Sequence, residues 1–308
     1  MSVVERAIDK LRRASSTDSP KPKTTDSESQ LNIGTLEVRV LQEVPEAAGD
    51  TGVLSERRIL IDRQAVRAAG YLPETSQDRQ FSDHYRHIKR PLIAATVAQG
   101  AVVGPGNPRL IMMGSALPGD GKTFSSINLA LSLSRERDIS VVLVDADVAK
   151  PHISRIFGVD KEPGLLDALS DESIDVESLI LGTDVQGLFI LPAGKPHEAA
   201  TEYLASARMG HLVTRIISRD TRRIALFDSS PLLVSSESRA LATVMGQVVL
   251  VVRAGHTPRQ AVLNAITHLG QGKSIGLVLN QGRPSITQGY YGQGAYGSYG
   301  DDTAVEEK

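Results

Sequence analysis

Residues 109–123 read RLIMMGSALPGDGKT, an apolar run, then a glycine-rich turn, then a lysine and a threonine that open a helical pattern. This order predicts a strand, a phosphate-cradling loop and a helix. Gly119 and Gly121 let successive backbone N–H groups turn toward one point, beside the positive end of the helix dipole. Lys122 is then placed to reach the β and γ phosphates as a point charge, and the Thr123 hydroxyl to ligate Mg²⁺. The expected cradle is Pro118, Gly119, Asp120, Gly121, Lys122, Thr123 and Phe124, and its ligand is a magnesium-nucleoside triphosphate. Ala116 stands where the strict pattern has glycine, a small replacement.

Outward from this loop, short apolar runs at 110–113, 141–144, 188–191, 224–227, 248–252 and 275–279 read as strands. Several show no polar alternation, as expected when both faces of a sheet are covered. Helical patterns, among them 123–134 and 259–269, lie between them. Such alternation predicts an α/β fold with a doubly wound, mostly parallel sheet, and ligands at the carboxyl ends of the strands. Two further strands end there in carboxylates, at Asp145-Ala146-Asp147 and at Asp228-Ser229-Ser230-Pro231. Asp145 and Asp228 are expected to hold the metal ion directly or through water. Asp147 is the expected base, because an acceptor hydroxyl loses a proton in phosphoryl transfer. A helix cap or turn aspartate is the alternative for each taken alone.

The rest of the chain frames this core. Val4, Ala7, Ile8 and Leu11 stand at helical spacing among Arg6, Lys10, Arg12 and Arg13, so 1–15 reads as a short amphipathic helix that docks on its own domain, on a partner or on a membrane surface. Residues 14–29 are Ser, Thr, Pro, Lys and Asp with almost nothing apolar and read as linker, and 31–75 carry no clear pattern. We therefore take 16–80 as linker and poorly defined chain, 81–283 as the nucleotide domain and 284–308 as a Gly- and Tyr-rich tail expected to be disordered. A helical pattern starts near Phe81, carries Tyr85, Ile88, Leu92 and Ile93, and is interrupted by Pro91.

Composition sets outer bounds. The 308 residues are 41% hydrophobic, enough for a real core, and 34 basic against 36 acidic side chains give no global pull toward nucleic acid or anionic lipid. The absence of cysteine removes disulfides and thiolate chemistry, and the seven histidines have no ligand spacing. No apolar run approaches a membrane span, and charge from Glu5 onward is unlike a secretory signal, so a cytoplasmic protein is expected.

The three segments PGDGKT (118–123), VVLVDADVAKP (141–151) and IALFDSSP (224–231) together resemble the bacterial tyrosine kinases, which derive from deviant P-loop ATPases. They stand at the places of that family's Walker A, A′ and B motifs, and the resemblance runs from 81 to 308. The opening MSVVERAIDKLRRAS and the run DHYRHIKRPLI (83–93) look like the tyrosine autokinases associated with exosortase-type polysaccharide systems, relatives of the exopolysaccharide kinases. The resemblance implies an ATP-dependent, Mg²⁺-requiring autokinase whose acceptors are Tyr290, Tyr291, Tyr296 and Tyr299, four of the seven tyrosines. It implies an adenine contact at Asn280, for which a turn asparagine is the alternative. A homo-oligomeric ring through a helix bearing Asp83, Arg86 and Lys89 is implied as well, an ordinary solvated face being the alternative. It further implies a transmembrane polysaccharide chain-length partner that holds the kinase at the inner face of the plasma membrane, and a resetting protein tyrosine phosphatase; nucleic acid is not an expected partner.

Departures are few. Ala149 and Lys150 replace arginines common in the second motif, and Ser230 replaces a proline of the third. Leu117-Pro118 stands where relatives that partition DNA or place division sites carry a signature lysine, which counts against a motor-like role. The rival functions are a regulatory ATPase switch without kinase activity and a non-hydrolysing adaptor.

Overall fold

The computed structural model describes residues 40–42, 57–98, 104–270 and 273–282. The 1–15 helix and the four tail tyrosines fall outside these residues. In chain order the elements are β1 (Val40–Gln42), β2 (Arg57–Ile59), α1 (Arg63–Ala68), α2 (Asp78–Ala98), β3 (Leu110–Ser115), α3 (Lys122–Leu133), β4 (Ser140–Asp145), α4 (His152–Ile156), α5 (Leu165–Ser170), β5 (Leu181–Thr183), β6 (Leu188–Leu191), α6 (Ala200–Ala205), α7 (Ala207–Ser218), β7 (Arg223–Asp228), α8 (Ser236–Val244), β8 (Gln247–Arg253), α9 (Arg259–His268) and β9 (Ser274–Asn280).

The nine strands form one sheet in the order β1-β2-β5-β6-β4-β7-β3-β8-β9. From β6 to β9 every pairing is parallel, whereas β5 runs antiparallel to β6, and β1 antiparallel to β2. The doubly wound α/β sheet expected from the apolar runs is present, and each of the six runs lies within an observed strand. Alternation along the strands explains the two layers. Leu110 and Met112 of β3, Val142 and Val144 of β4 and Ala225 and Phe227 of β7 face one core, where Leu212, Ile216, Leu241 and Val262 of α7, α8 and α9 cover them. Ile111 and Met113, Val141 and Leu143, and Ile224 and Leu226 face the other, against Val66, Tyr85, Leu92, Ile127, Leu129, Leu133 and Ile153 of α1 to α4. Helices on both faces require strands that are apolar at successive positions, which is what made them visible in the sequence.

Two expectations change. The helix over 81–93 is not interrupted: α2 runs through Pro91, which is exposed. A mid-helix proline removes one backbone bond and costs about 3 kcal/mol, and here the burial of Tyr85 and Leu92 on either side holds the helix together. The stretch treated as poorly defined, 16–80, contains β2 and α1. Arg58 and Ile59 pair with Gly182 and Thr183 of β5, and the Ile61 N–H donates to Asp184 Oδ1 at 2.9 Å, so this segment is stitched into the sheet edge. Its contacts lie more than 100 residues away in sequence, where local pattern has no information.

Candidate active site

The loop after β3 enters α3 through Gly121, whose φ of +89° is left-handed. A Cβ there would lie 1.9 Å from Asn280 Nδ2. Only glycine meets both constraints. The loop is clamped from behind: Asp120 is buried, its Oδ2 accepts from the Leu117 N–H at 3.1 Å and its Oδ1 from the Thr257 hydroxyl at 2.6 Å. Asn280, at the end of β9, donates to the Asp120 carbonyl at 2.9 Å and accepts from the Gln281 N–H. The side chains of Asp120 and Asn280 thus serve the loop itself in this state. Phe124 does not enter the cradle with its ring, which meets Phe81 of α2 edge-on at 5.9 Å. Gly121→Ala is expected to abolish detectable nucleotide binding by equilibrium titration, and removing the side chain of Asn280 in the same chain is expected not to restore it, because the positive φ remains strained. Recovery in the double variant would contradict this.

Parallel register brings the carboxylates together. Asp145 and Asp228 are Cα partners across β4 and β7, and Met113 of β3 is the partner of Asp228 on its other side. Asp228 is fully buried and receives three donors: the Thr123 hydroxyl at 2.8 Å, the Ser126 hydroxyl at 2.8 Å and Lys122 Nζ at 3.4 Å. Lys122 Nζ also stands 3.9 Å from Asp147 Oδ2. Asp147 Oδ1 accepts from the Ser230 hydroxyl at 2.7 Å, so the serine that replaces a proline orients the expected base. Lys122, Thr123, Asp145, Asp147 and Asp228 therefore meet at the carboxyl ends of β4 and β7, beside the loop that follows β3.

Asp145 differs from its neighbours. Ser154 of α4 donates to its Oδ2 from both N–H and hydroxyl at 2.7 Å, while its buried Oδ1 has no hydrogen-bond partner among the described residues. Burial pushes its carboxyl up to about 7, opposed by the Ser154 bonds and assisted by the charges of Asp228 and Asp147. An orphaned carboxylate oxygen beside a second buried carboxylate and a threonine hydroxyl fits a magnesium site that keeps several waters and shares phosphate oxygens. Among the described residues no group of three or more His, Cys, Asp or Glu is placed to hold a metal unaided. Because the folded carboxyl binds its proton more tightly than the unfolded one, its stabilising contribution is complete below about pH 4 and is lost as pH rises toward 7. Urea unfolding with chelator is expected to show wild type losing stability relative to Asp145→Asn across that window. Parallel pH profiles would contradict the assignment.

Two side chains at the crevice carried no sequence signal. Half-buried Tyr71 presents its carbonyl to Asn128 of α3 at 2.9 Å, and burial together with the charge of Asp228 raises its hydroxyl. His152, which opens α4, is lowered by burial while sensing Asp147, Lys122 and Asp228. Tyr71 lies in the bend after α1 and His152 in a five-residue helix, and distant contacts set both. The helix assigned to self-assembly is altered too. Asp83 and Arg86 are exposed and pair with each other at 2.7 Å, but Lys89 is buried. Its ammonium donates to the Ser132 carbonyl and meets Glu136, both at 2.7 Å, so it does not share their face. A 3,3 spacing turns each successive side chain by about 60° short of a full revolution, and that drift carries position 89 onto α3. No helix among the described residues is long and apolar enough to cross a membrane.

Sheet order, glycine loop and converging aspartates define a P-loop α/β protein of the deviant Walker class. The putative tyrosine-protein kinase EpsB of Ralstonia nicotianae is 31% identical over 207 residues, covering 66% of this chain and 27% of that protein. The tyrosine-protein kinase YwqD of Bacillus subtilis is 27% identical over 215 residues, covering 68% and 86%. The crystal structure of the VpsO kinase domain matches at 32% identity with a TM-score of 0.52, covering 65% of this chain and all of that one. No family model matches. The chain belongs to the bacterial tyrosine kinase family. It spans about a quarter of the length of the EpsB relatives.

Proposed function

We propose that the chain is an ATP-dependent protein-tyrosine autokinase that phosphorylates Tyr290, Tyr291, Tyr296 and Tyr299 and acts in exopolysaccharide synthesis. The observation that carries this reading is the placement of Lys122 Nζ between Asp228 and Asp147 in a phosphate loop whose threonine already engages Asp228. On ATP binding, Lys122 leaves the carboxylates for the phosphates, and the backbone N–H groups of 118–123 fix the chain of phosphates in line with the incoming hydroxyl. Thr123, Asp145 and Asp228 would hold Mg²⁺, which when bound neutralises charge on the phosphate oxygens. Asp147, held by Ser230, accepts the tyrosine proton at Oδ2. Ser126 keeps Asp228 oriented throughout. The adenine contact at Asn280 requires its amide to release the Asp120 carbonyl.

The family resemblance adds a transmembrane polysaccharide co-polymerase as activator, which would hold the kinase at the inner face of the plasma membrane, and a protein tyrosine phosphatase that resets the tail. Assembly into a ring through α2 would rest on Asp83 and Arg86 without Lys89. Incubation with Mg-ATP followed by phosphosite mapping tests the reading. Phosphotyrosine within 290–299 is the expected result; phosphate release with no phosphotyrosine would instead favour a regulatory ATPase switch.

A further inference from the structure

Gln281 follows β9 directly, and it is the one non-glycine among the described residues with a positive φ, +55°. That backbone conformation is uncommon for side chains other than asparagine, aspartate and histidine, and it persists where the surroundings fix it. Two bonds fix it here. The Gln281 N–H donates to Asn280 Oδ1 at 2.9 Å, and its Oε1 accepts from Arg253 Nε at 2.8 Å. Arg253 ends β8 and is the Cα partner of Asn280. Its N–H donates to the hydroxyl of Thr257, the residue that clamps Asp120 of the phosphate loop. Residue 281 is therefore tied to the neighbouring strand and to the loop, although it is exposed and lies outside both cores.

The place of this turn gives it a consequence for the tail. Further extended residues would carry the chain on along β9 by about 3.3 Å each, away from the sheet. A left-handed residue breaks that line, and the bond to Arg253 turns its side chain toward β8. That strand lies between β9 and β3, which leads into the phosphate loop. In the order β4-β7-β3-β8-β9, the strand that delivers Asp228 is three spacings from β9, about 14 Å, and the strand that delivers Asp147 is four, about 19 Å. As coil, the nine residues from 281 to Tyr290 span about 16 Å on average and the 18 to Tyr299 about 23 Å. The spans match, so the rate at which a tail tyrosine meets the crevice is sensitive to the direction in which the chain leaves the sheet.

We propose that Arg253 and Gln281 are positioning residues for phosphotransfer to the chain's own tail, together holding the left-handed turn from which the acceptor segment starts. The inference rests on the autokinase reading and adds to it the residues that present the substrate. Asn280 need not stay in place, since the Arg253 bond holds residue 281 when the Asn280 amide turns to the base.

The test compares two acceptors for one full-length chain: its own tail, and an added synthetic peptide of residues 287–302 whose phosphorylation is read separately by mass. Arg253→Ala is expected to lower the initial rate on the tail about fivefold and to leave kcat and KM for the peptide unchanged. Gln281→Val is expected to lose as much, because a β-branched residue avoids the left-handed region. Adding Gln281→Asn to Arg253→Ala is expected to restore the tail rate, because asparagine takes that conformation unaided. An equal loss on the peptide would assign Arg253 to the nucleotide site and overturn the proposal, as would an unrescued double variant. Wild type with no phosphotyrosine on either acceptor removes the autokinase reading and this inference with it. Full activity on both acceptors in every variant leaves that reading standing and overturns this inference alone.

Discussion

Lys122→Met is expected to lower tyrosine phosphotransfer by about a thousandfold or more while the fold persists. The physical reason lies in what the ammonium touches. It is buried against Asp228 and Asp147, and among the described residues it pairs with no other carboxylate. Methionine fills nearly the same length without charge. Asp228 would keep the Thr123 and Ser126 hydroxyls, so strands β3, β4 and β7 remain in register. Phosphoryl transfer depends on positioning and on neutralising developing charge, and the uncharged methionine neutralises none. The measurement is the initial rate of phosphotyrosine formation beside a thermal melt. Equal rates for wild type and variant would remove Lys122 from the reaction, and a collapsed melt would mean that its role is in folding.

Glu177→Ala should destabilise the domain by about 3–5 kcal/mol, the usual cost of stranding a buried charge, which lowers the melting temperature by roughly 6–20 °C in a domain of this size. Arg223 opens β7 and is 1% exposed; its Nη1 donates to Glu177 Oε1 at 2.7 Å and to the Ile216 carbonyl at 2.9 Å, while its Nε has no partner among the described residues. The guanidinium sits at the opposite end of the strand that delivers Asp228, so the pair fixes the start of β7. Replacing Arg223 and Glu177 together by Met and Leu should recover most of the loss, since a matched apolar pair leaves no unpaired ion. A melting change below about 2 °C in Glu177→Ala would show that water reaches the arginine.

Both predictions depend on features of different legibility. The glycine-rich loop is legible in PGDGKT because the features that mark it are local: glycines for the turn, a lysine at fixed reach, and a helix that begins at once. The Glu177–Arg223 pair joins residues 46 apart and gave no signal. Short elements fared likewise. β2 and β5 have three residues each, too few for a period, and their pairing with each other and with β6 decides whether they are strands at all. Pro91 reads as a break in α2 because local propensity takes no account of the packing of Tyr85 and Leu92 that outweighs it.

The loop at 116–123 returns a divided answer. By itself the sequence determined the doubly wound sheet, its six mutually parallel strands, the glycine-rich turn into α3 and the aspartates at the strand ends, because burial on both faces and the turn chemistry of glycine act within a few residues of chain. Tertiary structure alone decided that Asn280 and Thr257 clamp the loop through Asp120, that Asp145 Oδ1 has no partner among the described residues, and that Lys89 is withdrawn from the face of Arg86. Those are consequences of which distant surfaces meet, and the free energy of such contacts depends on neighbours that no local pattern specifies.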